Sequence, residues 1–251
     1  MSKILTRRRV ILGAAAGAGI IAYEALPQGA FKYGLIKAAD SFTLRAQRLI
    51  IGKSLVREFS PADISPQFPT NGVNMPEGET YQQLLASNFG DWALKIDGKV
   101  RTPVSASLAE LRSMPSRTQI TMHTCDEGWN AIGQWKGVPV AHLLNMAGLA
   151  PDARYVVFHC LDKQGDGVMY YESLDLFDAF HPQTILAYEM NGEPLPVGHG
   201  APLRLRIELQ IGYKNAKYID RIEVVDSLAN IGKGRGGWWE DSGDAVWYAG
   251  Q

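Results

Sequence analysis

The run His123-Thr-Cys-Asp-Glu-Gly-Trp129, followed by Trp135-Lys-Gly-Val-Pro139, concentrates residue types able to do chemistry around one cysteine. A thiolate is both a nucleophile and a soft metal ligand, and nearby cations favour it over the thiol. His123 and Lys136 bracket Cys125 and are candidates for that part. Gly128, Gly133 and Gly137 offer backbone that a large ligand can approach closely. The chain holds 2 cysteines. In an oxidising compartment the plainer reading is a Cys125–Cys160 disulfide, since both lie at expected strand ends. Other chemistries lack their patterns: there is no His/Cys cluster at zinc spacing, no Cys-x-x-Cys-His for covalent haem and no Gly-x-Gly-x-x-Gly after a strand. A lone soft thiolate can instead be the single protein ligand of a metal whose other ligands belong to an organic cofactor.

The elements that must position Cys125 are readable from periodicity. Thr118–Thr124 alternates apolar and polar residues and predicts a strand that delivers Cys125 at its C-terminal end. Trp92–Gly98 alternates and ends in Asp-Gly, a hairpin signal. Ser107 caps a short helix over Ser107–Arg112, and Val138–Ala147 is a helix closed by Gly148. Further strands are expected at Arg154–Cys160, Val168–Tyr171, Thr184–Met190 and Tyr218–Asp226, with short helices at Tyr81–Ser87 and Leu174–Ala179. Leu203–Leu209 alternates strictly and places Arg204, Arg206 and Glu208 on one face. The segment Ser65–Glu79, punctuated by Pro66, Pro69, Asn71-Gly72 and Pro76, is long for a structureless loop, so it is either mobile or shaped around something. The tail from Gly232 carries Trp238-Trp239, a pair too apolar to be left fully in water.

Of the 251 residues, 46% are hydrophobic and 20% charged, with 25 basic against 26 acidic. That balance gives no basic field for nucleic acid and no acidic excess for disorder. The N-terminus is different in kind. Arg7-Arg8-Arg9 precedes the 13-residue uncharged run Val10–Ala22, short for a spanning helix, which needs about 20 residues. A basic region before a short apolar one is an export pattern, here of twin-arginine type, so a periplasmic location is expected; an uncleaved leader would anchor the chain to the membrane. Three parts are therefore expected: a leader over 1–30, an amphipathic helical segment over 31–59 with its helix running from Leu35 to Phe59, and one mixed α+β domain over 60–251.

Cys125-Asp-Glu-Gly-Trp129 with Trp135-Lys-Gly-Val-Pro139 resembles the molybdopterin-binding domain of the sulfite oxidase family, whose pattern is Cys-x-x-x-Trp followed by Trp-x-Gly-hydrophobic-Pro. Tyr155-Val-Val-Phe158, His199-Gly-Ala-Pro-Leu-Arg204 and Gly212-Tyr-Lys-Asn-Ala-Lys217 match the same family in order, so the resemblance runs over roughly residues 60 to 226. The likeness is to bacterial periplasmic members, sulfoxide reductases included. It implies a strand-rich α+β fold of the sulfite oxidase type and a molybdenum–molybdopterin cofactor with Cys125 as thiolate ligand. Asn71 would touch the pterin, with Asn74 as the alternative. Cys160 falls where a family member places a small polar cofactor contact, and His199 stands where reductase-like members carry asparagine. Arg204, Asn215, Ala216 and Lys217 would hold the cofactor's phosphate. A phosphate needs cations and backbone N–H donors, and Arg204, Lys214 and Lys217 cluster in a chain without basic excess. The plainer reading of Arg204 and Arg206 is a solvated strand face partnered by Glu208.

His123, two positions before the thiolate, would supply charge to an anionic substrate or tune the metal; a structural histidine is the alternative. Tyr213 and Trp129 are candidate pocket walls. The resemblance implies two-electron oxygen-atom transfer on a small sulfur oxyanion or sulfoxide. With 25 residues after Asp226, the expectation is a monomer lacking the dimerisation domain of animal and plant members, exchanging electrons with a separate cytochrome or membrane haem protein. The rival expectation is an exported, non-catalytic binding module with Cys125 and Cys160 oxidised.

Overall fold

The computed structural model describes residues 30–51 and 54–251; the basic leader lies outside them. The chain divides at Leu49/Ile50 into two units. The first contributes helix α1, Ala30–Ile51. Among the described residues no helix is long and apolar enough to cross a membrane.

The expected helix to Phe59 stops at Ile51, because the chain beyond finds better partners for its backbone. Gln183 exchanges two hydrogen bonds with Val56, accepting from its N–H at 2.7 Å and donating to its carbonyl at 3.0 Å. The Phe59 N–H donates to the Ile120 carbonyl at 2.9 Å. Backbone groups that must be paired are thus paired by tertiary contacts rather than by a helix. Ser60 and Asp63 then close a capping box around a short 3-10 turn, Pro61–Asp63.

The second unit holds two five-stranded sheets. In the first the order is β2 (Val104–Ser107), β1 (Ala93–Gly98), β10 (Ile219–Val225), β5 (Tyr155–Lys163), β6 (Met169–Asp175), with only β1 and β10 parallel. In the second, β3 (Arg117–Thr124), β4 (Asn130–Pro139), β7 (Ile185–Met190) and β8 (Glu193–Pro194) follow one another, and β9 (Arg204–Arg206) also pairs with β7. The helices are α2 (Glu79–Ala86), α3 (Leu108–Ser113), α4 (Val140–Ala147), α5 (Leu176–Ala179) and α6 (Trp238–Ser242). Ser107 caps α3 through a capping box with Glu110, as its spacing predicts. The main apolar core joins Leu94, Ile96, Leu143, Leu144, Phe158, Leu203, Ile222 and their neighbours, all fully buried; burying each such side chain contributes roughly 1.5–3 kcal/mol.

Two sequence expectations are corrected here. Residues 130–137, for which no element is expected, form with Val138 and Pro139, expected to open the next helix, the long strand β4, paired with β3 from Thr124↔Asn130 to Arg117↔Gly137. Its glycines serve packing: a methyl at Gly137 would sit 2.0 Å from the Leu186 carbonyl oxygen, and one at Gly133 would press on the Phe68 ring at 3.1 Å. The alternating stretch Leu203–Leu209 is a strand only over Arg204–Arg206. Nor is its polar face solvated, for Arg204, Arg206 and Glu208 are 3%, 1% and 0% exposed.

Candidate active site

Cys125 occupies the turn of the β3–β4 hairpin. Its N–H donates to the Trp129 carbonyl at 2.9 Å, and the Gly128 N–H returns to the Cys125 carbonyl at 3.1 Å. Gly128 closes the turn at φ 89°, a conformation that favours glycine. A tight hairpin end fixed by its own backbone bonds therefore presents the sulfur at one place.

The segment Ser65–Glu79 is shaped around that end. The Ser65 N–H donates to the Ile132 carbonyl at 3.0 Å and its hydroxyl accepts from the Ile132 N–H at 2.9 Å. Phe68 sits amid His123, Trp129, Trp135 and His199, with ring centroids 5.4–6.0 Å away. Asn71 donates from Nδ2 to the Cys125 sulfur at 3.1 Å. Asn74 makes no such contact and lines a neighbouring hollow.

Asn71 opens onto a cleft with about 610 Å³ of free space, its open mouth included. Asp126 and Glu127 line it beside Cys125, followed by Asp162, Tyr170, Arg204 and the stretch Gly212–Lys217; Trp239 comes from the tail. Lys217 donates from Nζ to the carbonyls of Asn71, Val73 and Gly198 at 2.8, 2.5 and 3.1 Å. Asn215 accepts from the Ile207 N–H at 3.0 Å and so braces its own loop. A methyl at Gly212 would lie 3.2 Å from both the Cys125 Cα and the Thr124 carbonyl oxygen.

The electrostatics single out two cations. Arg204 donates to the His199 carbonyl at 3.2 Å and lies 5.3 Å over Trp135, but its buried Nε has no hydrogen-bond partner. Burial, then the charge of Arg206, pulls it down to about 9. Burial, then Arg204, pulls Lys217 down to about 7, with Asp162 opposing. Among the described residues no carboxylate forms an ion pair with either one. Buried and half-buried positive charge without a counter-ion fits an anionic ligand. With a free thiol, a cleft and loop amides beside it, the donor set suits a phosphate-bearing organic cofactor that carries a thiophilic metal.

Other expected site residues fall differently. Both cysteines are free and buried; Cys160 belongs to the apolar core and does not line the cleft. Lys214 is no phosphate ligand: it is fully buried between Glu172 and Glu240, the latter at 2.9 Å. Lys136 is turned to Glu189, 3.2 Å away, so it does not favour a Cys125 thiolate. Burial raises the thiol, opposed by a backbone hydrogen bond from Glu127; bound metal would reverse that by holding the thiolate outright. His123 is buried and accepts at Nδ1 from Arg206 at 2.9 Å, which places its proton on Nε2. Burial, reinforced by Arg206, holds it far below its usual value and therefore neutral, so it brings no charge to a substrate. His199 is half-buried, pulled down to about 4 by burial and then Arg204. Tyr213 lines the cleft, its hydroxyl donating to the Val246 carbonyl at 2.7 Å. Sequence reading missed Asp126, Glu127, Asp162, Tyr170 and Trp239; the alternation of Tyr155–Lys163 does carry Asp162, at the end of β5, as a findable signal.

A thiol held by an asparagine that lines a cleft with two cations lacking a carboxylate partner suits a cofactor-binding site, and the comparisons with known proteins give its family. Residues 81–230 match the family described as the oxidoreductase molybdopterin binding domain. The chain belongs to that family, the molybdopterin oxidoreductases of the sulfite oxidase type. It is 36% identical over 199 residues to a putative protein-methionine-sulfoxide reductase subunit, YedZ1, of Azospira oryzae, covering 76% of this chain and 70% of the relative. It is also 36% identical over 147 residues to the protein-methionine-sulfoxide reductase catalytic subunit MsrP of Xanthomonas axonopodis pv. citri, covering 55% of this chain and 46% of the relative. The chain thus spans about half the length of that MsrP relative. The sulfane dehydrogenase SoxCD from Paracoccus pantotrophus aligns over 59% of this chain and 44% of its own at 22% identity and a TM-score of 0.49.

Proposed function

We propose that the chain is an exported, molybdenum-loaded enzyme that transfers one oxygen atom and two electrons at a sulfoxide sulfur. The observation that carries the reading is the 3.1 Å contact of Cys125 with Asn71, which lines the same cleft as Arg204 and Lys217. The relatives named for methionine sulfoxide reduction support sulfoxide over a sulfur oxyanion as substrate, and the basic, apolar leader supports export.

When bound, the molybdenum–pterin group supplies two-electron redox chemistry coupled to oxygen transfer. The chain's own residues do the rest. Cys125 is the protein's metal ligand, and Asn71 orients its sulfur by donating to it. Arg204, Lys217 and the loop amides from Gly212 to Lys217 hold the phosphate, so the cofactor is fixed at both ends. Phe68, Trp129 and His123 pack against one another near the sulfur and exclude water from that side. Reducing a sulfoxide to a sulfide consumes two electrons and two protons and releases one water. Asp162, lining the cleft and raised by burial to about 6, can hold one of those protons. The electrons come from a separate partner, for which a membrane haem protein is the expected type.

Protein purified from cells that make the cofactor is expected to contain one molybdenum and one pterin per chain. Cys125→Ser should leave a folded protein with no turnover on methionine sulfoxide. A Ser variant as active as wild type would end the assignment.

A further inference from the structure

The tail beyond the matched family segment, residues 232–251, runs along the loop that reaches the cleft. The Ile211 N–H donates to the Ala249 carbonyl at 2.9 Å, and the Gln251 N–H to the Leu209 carbonyl at 3.1 Å. Gln210 accepts from the Ala249 N–H at 3.2 Å. Tyr213 reaches Val246, and Glu240 accepts from Lys214. Five consecutive-to-neighbouring positions, 209 to 214 less Gly212, are thus tied to the tail just before Asn215, Ala216 and Lys217. The tail itself is anchored elsewhere. Asp241 accepts from the Tyr171 hydroxyl and from the Lys233 and Arg235 N–H groups at 2.6 and 3.1 Å. Trp247 donates to Ser173 at 2.9 Å, and Trp238 to Asp166 at 3.2 Å.

Two side chains of this tail bear on the cleft. Trp239 lines it, adding a third aromatic wall to Tyr170 and Tyr213. Glu240 is buried and meets a buried lysine whose charge needs it; burial opposes that charge, and the glutamates Glu172 and Glu240 outweigh it. Glu240 holds Lys214, and the backbone continues directly from Lys214 into Asn215–Lys217, so the pair sets where the end of the loop begins. Tyr170 strengthens the arrangement from the other side, donating to the Tyr213 carbonyl at 2.6 Å.

We propose that the C-terminal tail completes the active site: Trp239 is a specificity-determining wall of the cleft, and Glu240 is the positioning residue that holds the Gly212–Lys217 loop through Lys214. The inference rests on the cofactor reading given above for its ligand, though not for its mechanics. An aromatic wall of this kind suits a flat heterocycle or an apolar thioether group, and outer partners that fix a binding group typically change affinity about 10–100-fold when lost.

The test uses the full chain, purified from cofactor-making cells, with Glu240→Ala, Glu240→Gln and Trp239→Ala. Glu240→Ala should lower pterin per chain about tenfold or more and speed amide exchange at residues 211–217 in cofactor-free protein, with exchange in β1 and β2 unchanged. Glu240→Gln, which keeps an acceptor for Lys214, should restore most of both. Trp239→Ala should relax selection between dimethyl sulfoxide and a bulky aryl sulfoxide roughly tenfold. Wild-type pterin content and exchange rates in Glu240→Ala, or unchanged selectivity in Trp239→Ala, would overturn the corresponding half. If wild-type protein carries no pterin, the cofactor reading fails, yet the exchange measurement still decides whether Glu240 holds the loop. Should Glu240→Ala not fold, loop exchange in Glu240→Asp, whose shorter side chain draws the acceptor away from Lys214, stands in for it, and a rate equal to wild type there counts against the proposal.

Discussion

Two groups of cations, three of the four side chains buried and Lys217 half-buried, lie within one short stretch of chain and differ in what neutralises them. Arg206 is gripped by Glu208 at 3.0 and 2.7 Å, and Lys214 sits between Glu172 and Glu240. Arg204 and Lys217, which bracket them in sequence, meet carbonyl oxygens and a ring face. The first pair is complete within the protein and belongs to its scaffold. The second pair is left short of negative charge, and that shortage faces the cleft. Burial alone does not mark a ligand-binding cation; burial without a carboxylate does.

The comparison makes ranked predictions. The largest effect is expected from Lys214→Met, which strands Glu172 and Glu240 together without a counter-charge. It should cost about 3–5 kcal/mol of stability in denaturant unfolding, and a loss under about 1 kcal/mol would remove Lys214 from the scaffold. Arg204→Met should behave oppositely. Stability of the cofactor-free protein should stay within about 1 kcal/mol of wild type or rise, because an uncompensated charge is removed, while pterin content falls about tenfold or more. An equal stability loss in both variants would erase the distinction.

The third prediction concerns pH. Lys217 is lowered in the fold to about 7, so between about 7 and its ordinary value the folded state binds fewer protons than the unfolded chain. Stability of cofactor-free protein should therefore rise with pH across that window, and the rise should vanish in Lys217→Met. Binding of pyrophosphate to cofactor-free protein near pH 8 should take up a proton, read by calorimetry in buffers of different ionisation enthalpy; uptake of none would return Lys217 to the scaffold class. The smallest effect is expected at Asp162, raised to about 6. It binds extra protons in the folded state, so its contribution to stability falls as pH rises from about 4 to about 6, and Asp162→Asn should flatten that slope.

This contrast also marks what the sequence could convey. Cys125 was placed at a strand end because Thr118–Thr124 alternates, and the structure has it in the β3–β4 turn. Asn71 was named with Asn74, and only the hydrogen bond to the sulfur separates them. Sequence groups Lys214 with Arg204 and Lys217 in one cationic cluster, because the partners that set it apart are 42 and 26 residues away, beyond any local pattern. β4 was hidden by Gly133 and Gly137, whose lack of side chains weakens a strand pattern although close neighbours require it. The tail was known to need shelter for its tryptophans, but the residue that enters the cleft could not be told apart from Trp238.

Gly212 couples the two ends of the site. Its Cα faces the Cys125 backbone so closely that even a methyl group would crowd it, so the hairpin tip and the Gly212–Lys217 loop are packed directly on one another. The separation between sulfur and cationic loop is thereby gauged like the jaws of a calliper, and a molecule that spans them is measured by length before its chemistry is tried.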